Sequence, residues 1–151
     1  MSVLKLHNEP LQEAWLDAYG HLNEAYYLVP FSNTTWKLQD HFDIGVDYFE
    51  ETGCAIYTVE THLRYLSDVR KTALMEIESM ILGVDAKRIW FAHKMMVNDV
   101  LCATGEFMVL HYDTNANRTT AMPNSVIETL GRAATDSRPE WVGRRLSLDK
   151  R

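Results

Sequence analysis

Cysteine is scarce in this chain: there are two among 151 residues. Cys54 and Cys102 lack metal-ligand spacing, and a structural disulfide does not suit the compartment expected below. Both read as small core residues. Positive charge is also short. Fifteen Lys and Arg face 21 Asp and Glu, for a net charge of −6, so no global basic field invites nucleic acid. No apolar run approaches the length of a membrane span. Met1 to His7 lacks the apolar stretch of a signal peptide, so the expectation is a cytoplasmic protein. The histidines are scattered, with no i, i+4 pair on a helix, and neither a metal nor another cofactor is expected. A Gly-x-Ser-x-Gly nucleophile elbow, a phosphate-binding glycine loop, internal repeats and low-complexity linkers are all missing.

What is present suits one domain. The length fits a single unit, and 46% hydrophobic residues can build its core. Residues 1–134 carry the patterned elements, and 135–151 form a polar, basic tail with Trp141 and the Arg144-Arg145 pair.

The most informative stretch is Asp17-Ala18-Tyr19-Gly20-His21-Leu22-Asn23-Glu24. It sets a carboxylate, a glycine and a histidine just before a helix that Asn23 can cap. The first amides of a helix lack intrahelical partners and carry partial positive charge, so they can hold a polarised carbonyl. A carboxylate beside them can attack that carbonyl or activate water. The same residues could equally be turn chemistry alone.

Around this loop the chain alternates predictably. Val3 to Trp15 reads as an extended leading segment interrupted by Pro10. A helix is predicted from Glu24 to Asp43, ended by Gly45, with Pro30 kinking it or starting a second helix. Four strands follow: Ala55 to Leu66, Leu74 to Ile81, Ile89 to Val97, and Leu101 to Tyr112. Turns fall at Gly83 to Ala86 and Asn98-Asp99. Gly105 marks a bulge or a close approach. Asp113 to Thr120 reads as loop, and Pro123 to Ala134 as a short helix. One helix followed by consecutive antiparallel strands gives an α+β fold, a sheet wrapped around a central helix with the leading segment as an edge strand.

The pattern Asp17-x-x-Gly20-His21-x-Asn23-x-x-x-Tyr27 resembles the hotdog-fold acyl-CoA thioesterases of the 4-hydroxybenzoyl-CoA thioesterase type. The resemblance implies Asp17 as nucleophile or general base, His21 and Asn23 as shapers of the turn, and backbone amides near Asn23 and Glu24 as carbonyl polarisers. Tyr57 to Leu66, Leu82 to Arg88, Leu110 to Thr114 and Arg138 to Arg144 are similar to the betainyl-CoA thioesterases of carnitine catabolism, and the likeness covers nearly the whole chain. It implies hydrolysis of betainyl-CoA to glycine betaine and CoA, by subunits that pair through sheet edges into a homodimer or homotetramer.

A trimethylammonium acyl group calls for aromatic faces and a counter-charge. Tyr26, Tyr27, Phe31, Trp36, Tyr57 and Trp90 are available, with Glu60 as the carboxylate. Glu60 reads equally as a solvent-facing residue paired with Arg64. For the CoA phosphates the candidates are Arg64, Arg70, Lys71 and Arg118, with Lys87 and Arg88 also at strand ends or loops. His62, His93 and His111 read as structural. Two alternatives stay open: a thioesterase for another short or aromatic acyl-CoA, and a catalytically silent module that binds acyl-CoA.

Overall fold

The computed structural model describes residues 3–149. Six strands form one antiparallel sheet: β1 (Leu4–Pro10), β2 (Cys54–Tyr65), β3 (Leu74–Val84), β4 (Arg88–Val97), β5 (Val100–Asp113) and β6 (Arg118–Thr119). Among the described residues three α-helices accompany them: α1 (Leu28–His41), α2 (Val46–Thr52) and α3 (Asn124–Ala133). The sheet order is β1-β3-β4-β5-β2, with β6 paired to β5. The α+β hotdog architecture expected from the sequence is present.

The pairing of the strands is not consecutive throughout. β3, β4 and β5 form a meander, but β2 pairs with β5 rather than with β3. The connection 66–73 therefore carries the chain from one side of the sheet to the other. β1 adds to β3 at the far side, as an edge strand ending at Pro10. A proline is tolerated there because an edge strand need not donate outward.

The predicted single helix is two pieces. Glu24–Tyr26 forms one 3₁₀ turn, and α1 then starts at Leu28. Pro30 is its third residue, where a missing N–H costs nothing because first-turn amides have no intrahelical acceptor. So Pro30 begins the second helix rather than kinking the first. α2 was not foreseen; it is capped by Gly53, whose φ of 71° is the left-handed conformation that ends helices. The segment read as loop after Asp113 holds the two-residue strand β6.

α1 lies in the sheet's concave face. Phe31 is fully buried and packs edge-on against Phe107, which stacks on Phe91. Gly105 marks a close approach, not a bulge. A Cβ there would lie 2.6 Å from the Phe107 ring and 3.1 Å from the Phe31 ring. The bulges fall instead at Thr58/Glu60, Lys5/His7, Ile81/Gly83 and Met95/Met96. The turn expected at Gly83 to Ala86 sits slightly later, where Asp85 Oδ1 accepts the Lys87 and Arg88 amides. Asn98 and Asp99 both take positive φ, as a tight hairpin turn requires.

His93 and His111 are core residues, as read from the sequence. His93 is fully buried between Ser79 Oγ, 2.8 Å from Nδ1, and Thr35 Oγ1, 3.0 Å from Nε2. His111 lies between the Thr120 carbonyl and the Tyr48 hydroxyl, and so ties α2 to the sheet. Cys102 is buried, whereas Cys54 is half-buried; both are free thiols.

The tail has no helix or strand within 135–149, but it is packed. Trp141 and Val142 cover Met80, Leu82 and Ala92 on the sheet's outer face. Arg138 lies 4.3 Å over the Trp90 ring and donates to the Leu82 carbonyl. Glu106 accepts from Trp90 Nε1 and from the Gly143 amide, pinning the tail's far end to β5.

Candidate active site

Two loops build the cleft around Asp17. Residues 16–23 run beside the crossover 66–73, joined by the Leu22 amide on the Val69 carbonyl at 2.7 Å and a bridge between His21 and Arg70. Within the first loop, Asp17 N donates to the His21 carbonyl at 2.8 Å, and Gly20 takes a φ of 77° to close the turn. Only a residue tolerant of positive φ fits there without strain. Asp17 Oδ1 accepts the Tyr19 and His21 amides at 2.8 and 3.2 Å. Oδ2 has no hydrogen-bond partner among the described residues.

The cleft has a volume of about 430 Å³. Asp17, His21, Glu24, Tyr27, Tyr65 and Asp68 meet on it. Tyr27 is buried and meets the Tyr65 ring edge-on at 4.9 Å. Burial pushes the pKa of both phenols above the ordinary tyrosine value, so both are neutral donors at physiological pH. Tyr65 donates to the Glu24 carbonyl at 3.2 Å, bracing the 3₁₀ turn against β2. His21 Nε2 lies 3.4 Å from Asp68, which Arg70 also holds at 2.7 Å. The hydrogen bond from Arg70 keeps the Asp68 carboxyl below its usual pKa. The cleft is thus acidic and partly aromatic.

The amides near Asn23 differ from one another. Asn23 caps the turn as expected, its Oδ1 accepting from Ala25 N at 3.0 Å. Its own amide is taken by the Trp15 carbonyl at 2.9 Å, and the Tyr26 amide by the Asn23 carbonyl. The Glu24 amide has no partner among the described residues, which makes it the available donor.

The other expected site residues lie elsewhere in the subunit. Tyr26 stacks on Trp15 with its ring exposed. Phe31 belongs to the core. Trp36 and Tyr57 share a second, apolar cavity of about 280 Å³ with Phe49 of α2. Glu60 lies on the outer face, in a third cavity with Trp90 and Glu106. The carboxylates in the Asp17 cleft are Glu24 and Asp68 instead, and residue type alone could not separate them from Glu60. Arg70 and Lys71 border the Asp17 loop but are ion-paired, to Asp68 and Glu13. Arg118 sits at the Cys54 end of the sheet, opposite the Tyr65 end where the cleft lies. Arg64 borders a cavity on the outer face. Among the described residues no cluster of His, Cys, Asp and Glu could hold a metal.

Residues 12–130 match the family described as the thioesterase-like superfamily. The chain belongs to that family. It is an enzyme, a thioester hydrolase. A betainyl-CoA thioesterase of Pseudomonas aeruginosa is 30% identical over 97% of this chain and 96% of its own length. An L-carnitine dehydrogenase/betainyl-CoA thioesterase of Agrobacterium fabrum is 40% identical over 84% of this chain, which spans 26% of that longer protein. Among solved structures, a thioesterase candidate from Pseudomonas putida is 27% identical, with a TM-score of 0.81 and 99% of both chains covered. A Staphylococcus aureus protein characterised in complex with CoA has the same fold, with a TM-score of 0.87 at 21% identity over 99% of this chain and 98% of its own.

Proposed function

We propose that the thioesterase hydrolyses betainyl-CoA, releasing glycine betaine and CoA, within carnitine degradation in the cytoplasm. The near full-length likeness to a betainyl-CoA thioesterase supports the reaction. The observation that carries the substrate is the make-up of the cleft: Asp17 and Glu24, with the ion-paired Asp68, beside the rings of Tyr27 and Tyr65. A quaternary ammonium is favoured by carboxylates and aromatic faces, whereas an uncharged acyl group gains nothing from the carboxylates.

The thioester carbonyl accepts the Glu24 amide, and Asp17 Oδ2 faces the carbonyl carbon. Asp17 either attacks, expelling the CoA thiolate and leaving an anhydride that water cleaves, or takes a proton from the attacking water. Either route adds one water and yields a carboxylate, CoA and a proton. The Oδ1 bonds fix the carboxylate for both.

The working form is a homodimer or a tetramer built from it. Tyr57 to Thr61 are exposed in a row along β2, an edge strand with unpaired backbone groups on its outer side. Two-fold pairing of β2 with its copy reverses strand direction. The Tyr57 end of one subunit then lies beside the Tyr65 end of the other. The Trp36–Tyr57 cavity of the second copy becomes a wall of the Asp17 cleft.

The test is CoA release from betainyl-CoA, acetyl-CoA, a medium-chain acyl-CoA, benzoyl-CoA, and the carbon isostere in which tert-butyl replaces trimethylammonium. The expected preference for betainyl-CoA over that isostere is about tenfold or more in kcat/KM. Equal rates on the two would remove the cationic substrate, and no release from any would remove the acyl-CoA reading.

A further inference from the structure

Asp17, Glu24 and Asp68 line one cleft, but their charges are engaged differently. Asp17 is held by the Tyr19 and His21 amides on Oδ1 and is given to the reaction. Asp68 accepts from Arg70 Nε at 2.7 Å and lies 3.4 Å from His21 Nε2, so much of its charge is met within the protein. Glu24 is exposed and sits beside a ring. Burial first, and the Glu24 charge after it, raise the pKa of the Tyr65 phenol, which marks the carboxylate and the ring as neighbours. The Tyr65 hydroxyl donates to the Glu24 carbonyl at 3.2 Å, fixing the two residues to one another. Tyr65 is itself about half exposed and meets the buried Tyr27 edge-on. A carboxylate and a ring thus open onto the cleft side by side.

The chemistry of the acyl group makes that position decisive. In a betainyl thioester one methylene separates the nitrogen from the carbonyl carbon, which puts the cation about 2.5 Å from the reacting centre. It cannot reach a distant pocket. Its counter-charge has to stand among the groups that handle the carbonyl, within the roughly 4–6 Å over which opposite charges are strongly felt. Glu24 meets this condition, because the residue whose amide donates to the carbonyl oxygen also carries the carboxylate. A trimethylated nitrogen has no N–H to donate, so charge and ring faces recognise it, and hydrogen bonds do not.

We propose that the Glu24 carboxylate is the specificity-determining counter-charge for the acyl cation, acting with the Tyr65 ring. One residue then serves the substrate twice, with its backbone amide on the carbonyl oxygen and its side chain on the ammonium. The proposal rests on the betainyl-CoA reading above. It separates Glu24 from Asp17, which works on the carbonyl carbon, and from Asp68, which ties the crossover 66–73 to the Asp17 loop through His21.

The test compares the wild-type chain with Glu24→Gln and Glu24→Asp, on betainyl-CoA and on its tert-butyl isostere. Glutamine keeps the backbone amide and the size of the side chain and removes the charge. The readout is the ratio of kcat/KM for the cationic substrate to that for the neutral one. A disturbance of the carbonyl or CoA contacts acts on both substrates and cancels in that ratio. The expected result is a ratio about tenfold lower in Glu24→Gln. Glu24→Asp restores part of it, because the charge survives on a shorter arm. A purely structural role for Glu24 lowers both rates together and keeps the wild-type ratio, which overturns the proposal. A wild-type preference for betainyl-CoA that persists undiminished in Glu24→Gln overturns the role of Glu24 and leaves the betainyl-CoA reading standing. A wild-type enzyme that treats the two substrates equally overturns that reading, and the counter-charge with it.

Discussion

Asp17 Oδ1 accepts the amide of Tyr19 at 2.8 Å, so one oxygen of the carboxylate holds the turn while the other is left for chemistry. An asparagine keeps a carbonyl oxygen for the Tyr19 amide but loses the charge. Asp17→Asn is therefore expected to fold with unchanged melting temperature and to lose about 10²- to 10⁴-fold in kcat. CoA release by the purified variant checks it, and near-normal turnover would exclude Asp17 from the reaction.

The buried His93 makes stability depend on pH between about 3 and 6.5. Burial lowers its pKa from 6.5 to about 3. The unfolded chain binds the proton first, so this contribution is fully present above pH 6.5 and is lost as pH falls towards 3. The expected loss is about 1.4 kcal/mol per pH unit over that window. Urea midpoints at mildly acidic pH test this against His93→Gln, which should show a flatter slope. Identical slopes would sink the assignment.

Gly105 sits where two rings of the core close in. A methyl group there would meet Phe107 at 2.6 Å. Gly105→Ala is expected to cost about 1–3 kcal/mol through overpacking. Adding Phe107→Leu should recover part of that loss. Thermal melts of both variants decide it, and a neutral Gly105→Ala would mean the rings yield freely.

The open edge of β2 predicts the assembly. Tyr57 and Val59 are about half exposed along it. Tyr57→Asp with Val59→Asp sets like charges across a two-fold strand pair, which opposes pairing. Light scattering should show one chain per particle in place of two, with hydrolysis lost because each cleft loses its second wall. A variant that stays dimeric would move the interface to another face.

Much of this was legible in the sequence because it is local. Alternation marked each long strand, and Asn98-Asp99 and Asn23 announced a turn and a cap. The Asp17 loop could be read because its hydrogen bonds join residues two to four apart. What escaped depends on distant partners. α2 has seven residues, too few for a periodic stripe, and Tyr48 anchors it to His111, 63 positions away. Trp15 takes the Asn23 amide, which leaves Glu24 as the donor. Nothing in residue type told Glu60 from Glu24. Their cavities were separated by the alternation of β2 and the route of 66–73, and by the sheet order. The docking of the tail rests on Gly143 meeting Glu106, a contact between residues 37 apart.

The two margins of the sheet are unlike. β1 is short, bulged between Lys5 and His7, and ends in Pro10; Lys5 also places a charge along it. β2 is twelve residues long and bare on its outer side through its middle. A ribbon that can be extended at both margins polymerises, as fibrils do. Under the two-fold pairing proposed above, the long bare margin is used up and the short, bulged, proline-ended one is left to solvent, an arrangement that disfavours growth into a fibre.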